Sequence, residues 1–343
     1  MREPPPTKAK HIQIPEYKEF LTRIGRRYKK AGQGLKPHET EIARLQLIHD
    51  VITVKLAGIE KLSRLLAELD PFYHELIFIE FDENKVRKAV LCLLRAKRMV
   101  SEFFRKYRYR LMASETGREA KKIASEARGR MLSLIKRCEK QLLLLKNLVI
   151  FIQRLPSIDT SQPTIIVAGA PSVGKSTIVA NASRARVEIA SYPFTTKQIH
   201  VGHANINEIK VQIIDTPGLL DRPLDERNQI ELRAIAALKY LNGPILFLFD
   251  PTPQATIDLE RQLRLAKQVM ELDPEKPFVP AIAKVDLVDK HTVNTVISRI
   301  SETLGSTHVY KVVGVDSRSV KELVHRVVME TIRMMSSGGH PRS

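Results

Sequence analysis

The stretch GAPSVGKST, from Gly169 to Thr177, matches the phosphate-binding loop pattern G-x-x-x-x-G-K-[ST]. The run PTIIVA just before it predicts a buried strand, and residues 176–183, which contain no Gly or Pro, predict a helix. Strand, glycine-rich turn and helix are the context that this pattern requires, and a chance match in a loop would lack it. The sequence therefore predicts a P-loop NTPase domain.

The spacing within this loop has a mechanical reason. Backbone N–H groups curl around the β-phosphate of a nucleotide, and glycine lets the backbone approach it. We expect Lys175 to reach the β- and γ-phosphates as a catalytic residue, and the Ser176 hydroxyl to ligate Mg²⁺. The nucleotide-binding residues predicted in the loop are Gly169, Ala170, Pro171, Ser172, Val173, Gly174, Lys175, Ser176 and Thr177.

Strand and helix patterns alternate along the rest of this half of the chain. The predicted strands are residues 164–169, 198–203, 209–215, 245–250, 278–283 and 309–313. The predicted helices are residues 175–183, 229–242, 257–271, 292–304 and 320–335. Alternation of this kind predicts an α/β fold of the small GTPase type, with a mainly parallel sheet and helices on both faces.

Two further motifs fit a nucleotide switch. Asp215 closes the third predicted strand in the sequence DTPG, where its carboxylate can hold Mg²⁺ and the Gly218 N–H can meet the γ-phosphate. D-x-x-G alone could be a simple turn, but it lies 40 residues after Lys175 in the expected setting. Between them, in YPFTTK, we choose Thr196 over Thr195 as the threonine that ligates Mg²⁺ when the γ-phosphate is present. Thr196 and Gly218 join Lys175 as predicted catalytic residues.

The sequence AKVD, residues 283–286, stands where guanine-binding proteins use N-K-x-D. Asp286 accepts hydrogen bonds from guanine N1 and N2, whereas adenine has no N1–H, so an ATPase is disfavoured. The Lys284 stem lies along the base. Ala283 departs from the pattern and removes contacts to the base and to the phosphate loop, so we expect weaker binding with retained specificity. By register alone, the last base-contacting element is Val313-Gly314.

The sequence contains few other residues that suggest a metal site or a reactive side chain. His200 and His203 flank the second predicted strand and fit ordinary strand residues better than metal ligands. Cys92 and Cys138 have no metal-binding spacing and favour a reduced compartment over a disulfide framework. No signal peptide opens the chain, and the most apolar stretch is too short to span a bilayer. We therefore expect a cytoplasmic protein without membrane partners.

The first half of the chain predicts a helical bundle. Its predicted helices are residues 38–69, 71–80, 83–112 and 114–155. Residues 1–15 predict a mobile or extended arm and residues 156–163 a linker. We expect an all-α basic helical domain at 1–157, a nucleotide-binding domain at 158–338 and a short tail at 339–343.

Positive charge is concentrated in this first half. Residues 1–160 contain 34 Lys or Arg and 19 Asp or Glu, a net charge of +15, whereas residues 161–343 carry +3. From Arg87 to Arg110, nine basic residues and one acidic residue lie on one side of a predicted helix, with Tyr107 on the apolar side. A solvated surface is the plain alternative, and a membrane surface is disfavoured because the bundle needs the apolar side. We favour nucleic acid. The RNA-binding candidates are Arg95, Arg98, Arg105, Lys106 and Arg108.

Together with these motifs, the stretches YPFTTKQIHVGH (residues 192–203) and DTPGLLDRPLDERNQIE (residues 215–231) resemble the nucleolar GTP-binding protein (NOG) branch of the Obg-type GTPases. A basic helical domain of similar size precedes the GTPase domain in that family. The resemblance implies a translation-factor-class GTPase that binds GTP, GDP and Mg²⁺ and acts in large ribosomal subunit assembly. Its implied partners are the subunit precursor and its rRNA. The chain ends soon after the last predicted helix, as in the short form without the nucleolar tail.

Two departures from related proteins bear on catalysis. Ser172 stands where many relatives carry an Asn that supports potassium-stimulated hydrolysis, so potassium dependence stays open. Leu219 stands where many small GTPases place a catalytic Gln, and the family shares this hydrophobic replacement. Leucine cannot orient water, which implies slow hydrolysis or a GTPase-activating partner on the particle. The alternative is a non-catalytic RNA-binding assembly factor whose nucleotide site is largely structural.

Overall fold

The computed structural model describes residues 3–183, 187–192, 198–216, 220, 228–306 and 308–337. The chain forms two compact units. The helical unit consists of Pro5–Leu69 and Glu80–Gln153, and the α/β unit contains Asp70–Ile79 and the chain from Arg154 onward. A short segment from the helical half of the sequence thus groups with the α/β unit.

The first half of the chain is helical, as predicted. Its helices are α1 (Pro5–Ala9), α2 (Tyr17–Tyr28), α3 (Pro37–Lys55), α4 (Ala57–Ala67), α5 (Pro71–Glu80), α6 (Glu83–Met112), α7 (Gly117–Arg137) and α8 (Glu139–Arg154). In the helical unit, α3 packs against α2, α6 and α7. The predicted bounds of α6 are confirmed at both ends, and the Asp82 side chain caps it by accepting a hydrogen bond from the Lys85 N–H at 2.8 Å.

Two of the long predicted helices are each divided in two. Leu56 (φ −81°, ψ −3°) separates α3 from α4, and Cys138 (φ −93°, ψ 14°) separates α7 from α8. Both residues are buried, so the apolar stripe continues across each break and periodicity cannot reveal it. Cys92 and Cys138 are free thiols, with Sγ atoms 3.0 Å apart.

The predicted mobile arm is wrong for residues 5–15. Pro5 lies in the first turn of α1, where proline is tolerated, and Ala9 and Ile12 are buried in the helical unit. The Gln153 side-chain amide donates to the Ala9 carbonyl at 2.9 Å, and Lys8 pairs with a glutamate of the same unit. Proline content alone therefore misled the prediction.

The α/β unit contains a seven-stranded sheet in the order β2-β3-β4-β1-β5-β6-β7. Its remaining elements are β1 (Thr164–Gly169), α9 (Lys175–Ala182), β2 (Glu188–Ser191), β3 (Gln198–Ile206), β4 (Ile209–Asp215), α10 (Gln229–Ala236), β5 (Ile245–Phe249), α11 (Leu259–Leu272), β6 (Phe278–Ile282), α12 (Lys290–Leu304), β7 (Tyr310–Lys311) and α13 (Ser317–Ser337). Strands β1, β4, β5, β6 and β7 pair in parallel, whereas β3 is antiparallel to β2 and β4. The predicted α/β fold is confirmed, and its sheet is mixed because β3 runs antiparallel to its two neighbours. Sequence reasoning missed β2, a short edge strand with Ile189 exposed.

The predicted linker after α8 is a packed part of the α/β unit. The Tyr73 hydroxyl, in α5, donates to the Pro156 carbonyl at 2.7 Å and accepts from the Ile158 N–H at 2.8 Å. Burial raises the pKa of Tyr73 well above its ordinary value. The buried Gln212 side chain bonds both the N–H and the carbonyl of Asp159. Within the described residues, no helix has both the length and the apolar character needed to cross a membrane.

Candidate nucleotide-binding site

The phosphate loop lies between β1, which is buried throughout, and α9. Gly169 has φ 137°, and a Cβ added there would stand 2.5 Å from the Leu248 carbonyl oxygen, so only glycine fits between the loop and β5. Gly174, with φ 105°, precedes α9, and a Cβ added to it would meet no atom within 4 Å. Because the first N–H groups of a helix have no partner within the helix, the first turn of α9 can offer them to an anion in the open space beside Gly174.

Lys175 is a buried cation inside the curve of this loop. Its side-chain ammonium donates to the carbonyl oxygens of Gly169 and Ala170, each at 2.8 Å, and the residue is only 6 % exposed. These bonds hold the ammonium beside the N–H groups that begin α9. A phosphate bound over the loop is therefore within reach of both the charge and the backbone donors.

Ser176 and Asp215 meet next to the loop. The Ser176 hydroxyl donates to Oδ2 of Asp215, whose side chain is fully buried at the end of β4. Among the described residues, Oδ1 of the same carboxylate has no hydrogen-bond partner. A buried, unpartnered carboxylate oxygen is costly by itself, but it suits a hard cation that prefers oxygen ligands. The hydroxyl and this oxygen are thus a donor set that fits Mg²⁺.

His200 joins this pair from the neighbouring strand. The antiparallel register of β3 and β4 sets His200 opposite Asp215, and its Nδ1 lies 3.2 Å from Asp215 Oδ2. The sequence placed His200 in a strand but gave no sign of this contact, because the contact depends on strand register. In the part of the chain that the structure describes, no group of three or more His, Cys, Asp or Glu could hold a metal.

The base-recognition segment begins where β6 ends. Ala283 is buried, and its N–H donates to the Phe249 carbonyl at 2.9 Å. Lys284 has a left-handed backbone (φ 56°, ψ 31°), which is unusual for a long side chain. Asp286 is exposed in the short 3-10 helix that follows.

Asp250, which sequence reasoning overlooked, holds Lys284. The Lys284 Nζ lies 2.5 Å from Asp250 Oδ2, and Asp250 is buried directly after β5. An acidic residue at the carboxyl end of a central parallel strand is the signal that singled out Asp215, and it applies equally here.

The Val313-Gly314 pair follows β7, and the Gly314 carbonyl accepts a hydrogen bond from Asn181 of α9 at 2.8 Å. The predicted switch residues Thr196, Gly218 and Leu219, with runner-up Thr195, lie outside the described residues.

The basic face predicted on α6 is solvent-exposed. Tyr107 is buried, which confirms its expected place in the core, whereas Tyr109 is exposed. Lys97 is half-buried and pairs with Glu60 at 2.7 Å. All five RNA-binding candidates are exposed: Arg95, Arg98, Arg105, Lys106 and Arg108. Among the described residues, Arg98 alone of the five has an ion pair, a 4.0 Å contact with Glu102.

Both halves of the chain resemble known protein families. Residues 10–159 match the family described as NOG1 N-terminal helical domain, and residues 164–284 match the family described as 50S ribosome-binding GTPase. The chain belongs to the nucleolar GTP-binding protein 1 family. Its α/β unit is accordingly a GTPase-family domain, and membership of this family supports guanine-nucleotide binding.

Individual relatives differ in how much of their length is matched. Nucleolar GTP-binding protein 1 of Caenorhabditis elegans is 35% identical over 242 residues, which are 71% of this chain and 35% of that protein. An uncharacterized protein of Methanocaldococcus jannaschii is 33% identical over 80% of this chain and 79% of its own length. A crystal structure assigned as nucleolar GTP-binding protein 1 from Plasmodium falciparum is 31% identical, with a TM-score of 0.46, covering 53% of this chain and 93% of that one.

The chain spans 35% and 37% of the length of the first two curated relatives. The family and fold class predicted from the sequence are confirmed. The predicted cytoplasmic location is wrong, because these relatives are named nucleolar GTP-binding proteins, which points to the nucleolus.

Proposed function

We propose that this chain is a GTPase switch that binds GTP and GDP with Mg²⁺ and acts in assembly of the large ribosomal subunit. The observation that carries the proposal is the pairing of Ser176, beside a phosphate loop that encloses the buried Lys175, with Asp215, whose Oδ1 has no partner among the described residues. A cation site and an anion site side by side are what a Mg²⁺–nucleotide complex needs. Membership of a GTP-binding family supports guanine as the base.

In this proposal, hydrolysis is an in-line attack by water on the γ-phosphate. The N–H groups at the start of α9 hold the β-phosphate, and Lys175 neutralises charge on the β- and γ-phosphate oxygens. Ser176 and Asp215, together with the sequence-predicted Thr196, would hold Mg²⁺, which when bound would supply further neutralisation of phosphate charge. The Gly218 N–H meets the γ-phosphate. His200, beside Asp215, helps to orient that carboxylate.

Catalysis in this proposal is incomplete without a helper. Leu219 cannot position water, so we assign the missing group to a GTPase-activating partner on the precursor particle. The description of the matched family, a 50S ribosome-binding GTPase, supports a large-subunit partner. The helical unit docks on rRNA through the exposed basic face of α6, where Arg95, Arg105, Lys106 and Arg108, which have no ion pair among the described residues, can contact phosphates.

A nucleotide titration tests the binding part of this proposal. Fluorescent GDP and GTP should bind the wild-type chain far more tightly than ATP, because Asp286 accepts from the guanine N1–H and amino group. Lys175→Ala should weaken GTP binding more than GDP binding, since it removes a contact to the γ-phosphate. Equal affinity for ATP and GTP would contradict the assignment of the base site.

The second candidate function is a non-catalytic RNA-binding assembly factor. Ala283 favours it, because its buried methyl group has none of the hydrogen-bonding capacity of the usual asparagine. This candidate predicts nucleotide binding without hydrolysis, even on the particle. Single-turnover hydrolysis with and without large-subunit particles separates the two.

A further inference from the structure

The loop between β5 and α11, Asp250–Asp258, links the two halves of the proposed nucleotide site. On one side it contacts Lys284 of the base segment through Asp250, with a 2.5 Å ion pair. On the other side it contacts the phosphate loop, because the Thr256 hydroxyl donates to the Pro171 carbonyl at 3.0 Å. In each contact the residue from this loop, Asp250 or Thr256, lies outside the sequence motifs that define the site.

The first end of this loop is firmly held. Asp250 Oδ1 accepts hydrogen bonds from the Thr252 N–H at 3.0 Å and from the Thr252 hydroxyl at 2.7 Å. The Gln262 side chain, fully buried in α11, accepts from the Asp250 N–H at 2.8 Å and donates to the Asp250 carbonyl at 3.0 Å. With its backbone and one carboxylate oxygen fixed, Asp250 can direct the other oxygen at Lys284.

This support matters because of the conformation of Lys284. A left-handed backbone such as that of Lys284 is disfavoured for any residue that carries a Cβ, so it persists only where its surroundings enforce it. The ion pair to the fixed Asp250 provides such enforcement. Lys284 is also the residue whose stem we expect along the base, so its conformation sets the shape of the base site.

The second end of the loop contacts the phosphate loop through Thr256, and contact with the phosphate loop is what Ala283 removes from the usual motif. An asparagine at position 283 would offer an amide for contacts to the phosphate loop and the base, and the alanine methyl offers none. Thr256 supplies a hydrogen bond to the phosphate loop from a different segment of the chain. Pro171 precedes Ser172, which is the non-glycine residue of the loop with a positive φ (61°), so the bond restrains the loop next to a disfavoured backbone conformation.

We infer that Thr256 and Asp250 are positioning residues that hold the phosphate loop and Lys284 in register, in place of the asparagine that this chain lacks. The inference rests on the proposed function for its consequence, which is that GDP affinity depends on two side chains that do not touch the nucleotide. It also has a consequence in the nucleotide-free protein, where Thr256 should slow opening of the phosphate loop.

The main test is Thr256→Val, which keeps the shape of the side chain and removes the hydroxyl. The matched control is Thr295→Val, because Thr295 is also exposed and also donates to a backbone carbonyl, within α12. Thr256→Val should raise the Kd for GDP about 2- to 10-fold, the range of one net hydrogen bond, and Thr256→Ser should restore it. Asp250→Asn should have a larger effect, because it weakens the pairing with Lys284.

A double-mutant cycle tests whether the Thr256 contact with the phosphate loop replaces the contact that an asparagine at position 283 would make. In an Ala283→Asn background, Thr256→Val should change the GDP affinity by less than about 2-fold, since the asparagine supplies the lost contact. Equal fold-changes in the two backgrounds would overturn the idea of replacement.

Amide hydrogen exchange on the nucleotide-free protein gives an independent readout. Residues 170–174 should exchange faster in Thr256→Val than in the wild type or in Thr295→Val. If the wild type binds no guanine nucleotide, the proposed function fails and the exchange result alone decides the positioning role. If Thr256→Val matches Thr295→Val in both exchange and GDP affinity, the positioning role is overturned.

Discussion

Ser172 holds a left-handed backbone, φ 61°, in the middle of the phosphate loop. Asparagine tolerates this conformation better than other residues that carry a Cβ. Ser172→Asn should therefore raise the free energy of unfolding by roughly 0.5–1 kcal/mol, whereas Ser172→Ala should not. Urea denaturation of the three proteins measures the difference. Equal stability of the Asn and Ala variants would mean that the loop carries no strain at this residue.

Cys138 is a residue whose ionisation is set by its surroundings. Burial, with the Cys92 thiol beside it, raises the pKa of Cys138 to about 12 from an ordinary value of 9.0. The native protein should therefore alkylate with iodoacetamide at pH 8 at the partly exposed Cys92 first, and at Cys138 only after unfolding. Peptide mass mapping over time gives the two rates. Similar rates at the two thiols would contradict the burial of Cys138.

The same shift has a consequence for stability. The native state holds the Cys138 proton more tightly than the unfolded chain does. The contribution of Cys138 to the free energy of unfolding is therefore complete below pH 9. The contribution should fall as the pH rises from about 9 towards 12. A Cys138→Ala variant serves as the control, since it should lack this part of the pH dependence.

How far single residues could be predicted depends on how local their role is. Gly169, Lys175 and Ser176 were found because a contiguous pattern dictates the loop. Asp250 and His200 were missed because their partners are brought to them by strand order and register, which a single sequence does not contain. Asp250 alone had a usable signal, its position directly after a buried strand.

At the scale of elements, α6 was predicted best, because a capping residue and a continuous apolar stripe mark it. Asp82 begins the helix, and buried side chains recur from Val86 to Leu111. The breaks at Leu56 and Cys138 escaped prediction because they do not interrupt the apolar pattern. The edge strand β2 escaped for the opposite reason, since a half-exposed strand of four residues shows almost no pattern.

The basic face of α6 makes a prediction at this scale. If five or six basic residues engage RNA phosphates, log affinity should fall with log salt concentration with a slope of about −4 to −5. Replacing Arg98, Arg105 and Arg108 together with Gln should flatten that slope by about 2 to 3. Filter binding to large-subunit RNA across a salt series measures both slopes.

The control for this experiment removes equal charge from another helix. Arg118, Lys121 and Lys122 are exposed on α7, and their triple Gln variant should keep most of the affinity. Circular dichroism should show that both variants fold, because none of the six side chains is buried. If the α6 variant binds RNA with the affinity and slope of the wild type, the face is a solvated surface.

At the scale of the whole molecule, composition predicted a basic helical part and a nearly neutral nucleotide-binding part. It did not predict that α5 groups with the α/β unit. That grouping depends on Tyr73, whose buried hydroxyl bonds the chain after α8, and on Glu75, which pairs with Arg233 of α10 at 3.2 Å. Both are contacts between residues far apart in sequence, which helical periodicity cannot express.

We propose that the α/β unit hydrolyses GTP slowly by itself and faster on the large-subunit precursor. Single-turnover hydrolysis of GTP, measured for the free protein and with large-subunit particles, tests it most directly. We expect a free rate on the order of 10⁻⁴ to 10⁻² s⁻¹, acceleration by the particle, and loss of both in Lys175→Ala. A free rate near about 10 s⁻¹, or no hydrolysis even on the particle, would contradict the account.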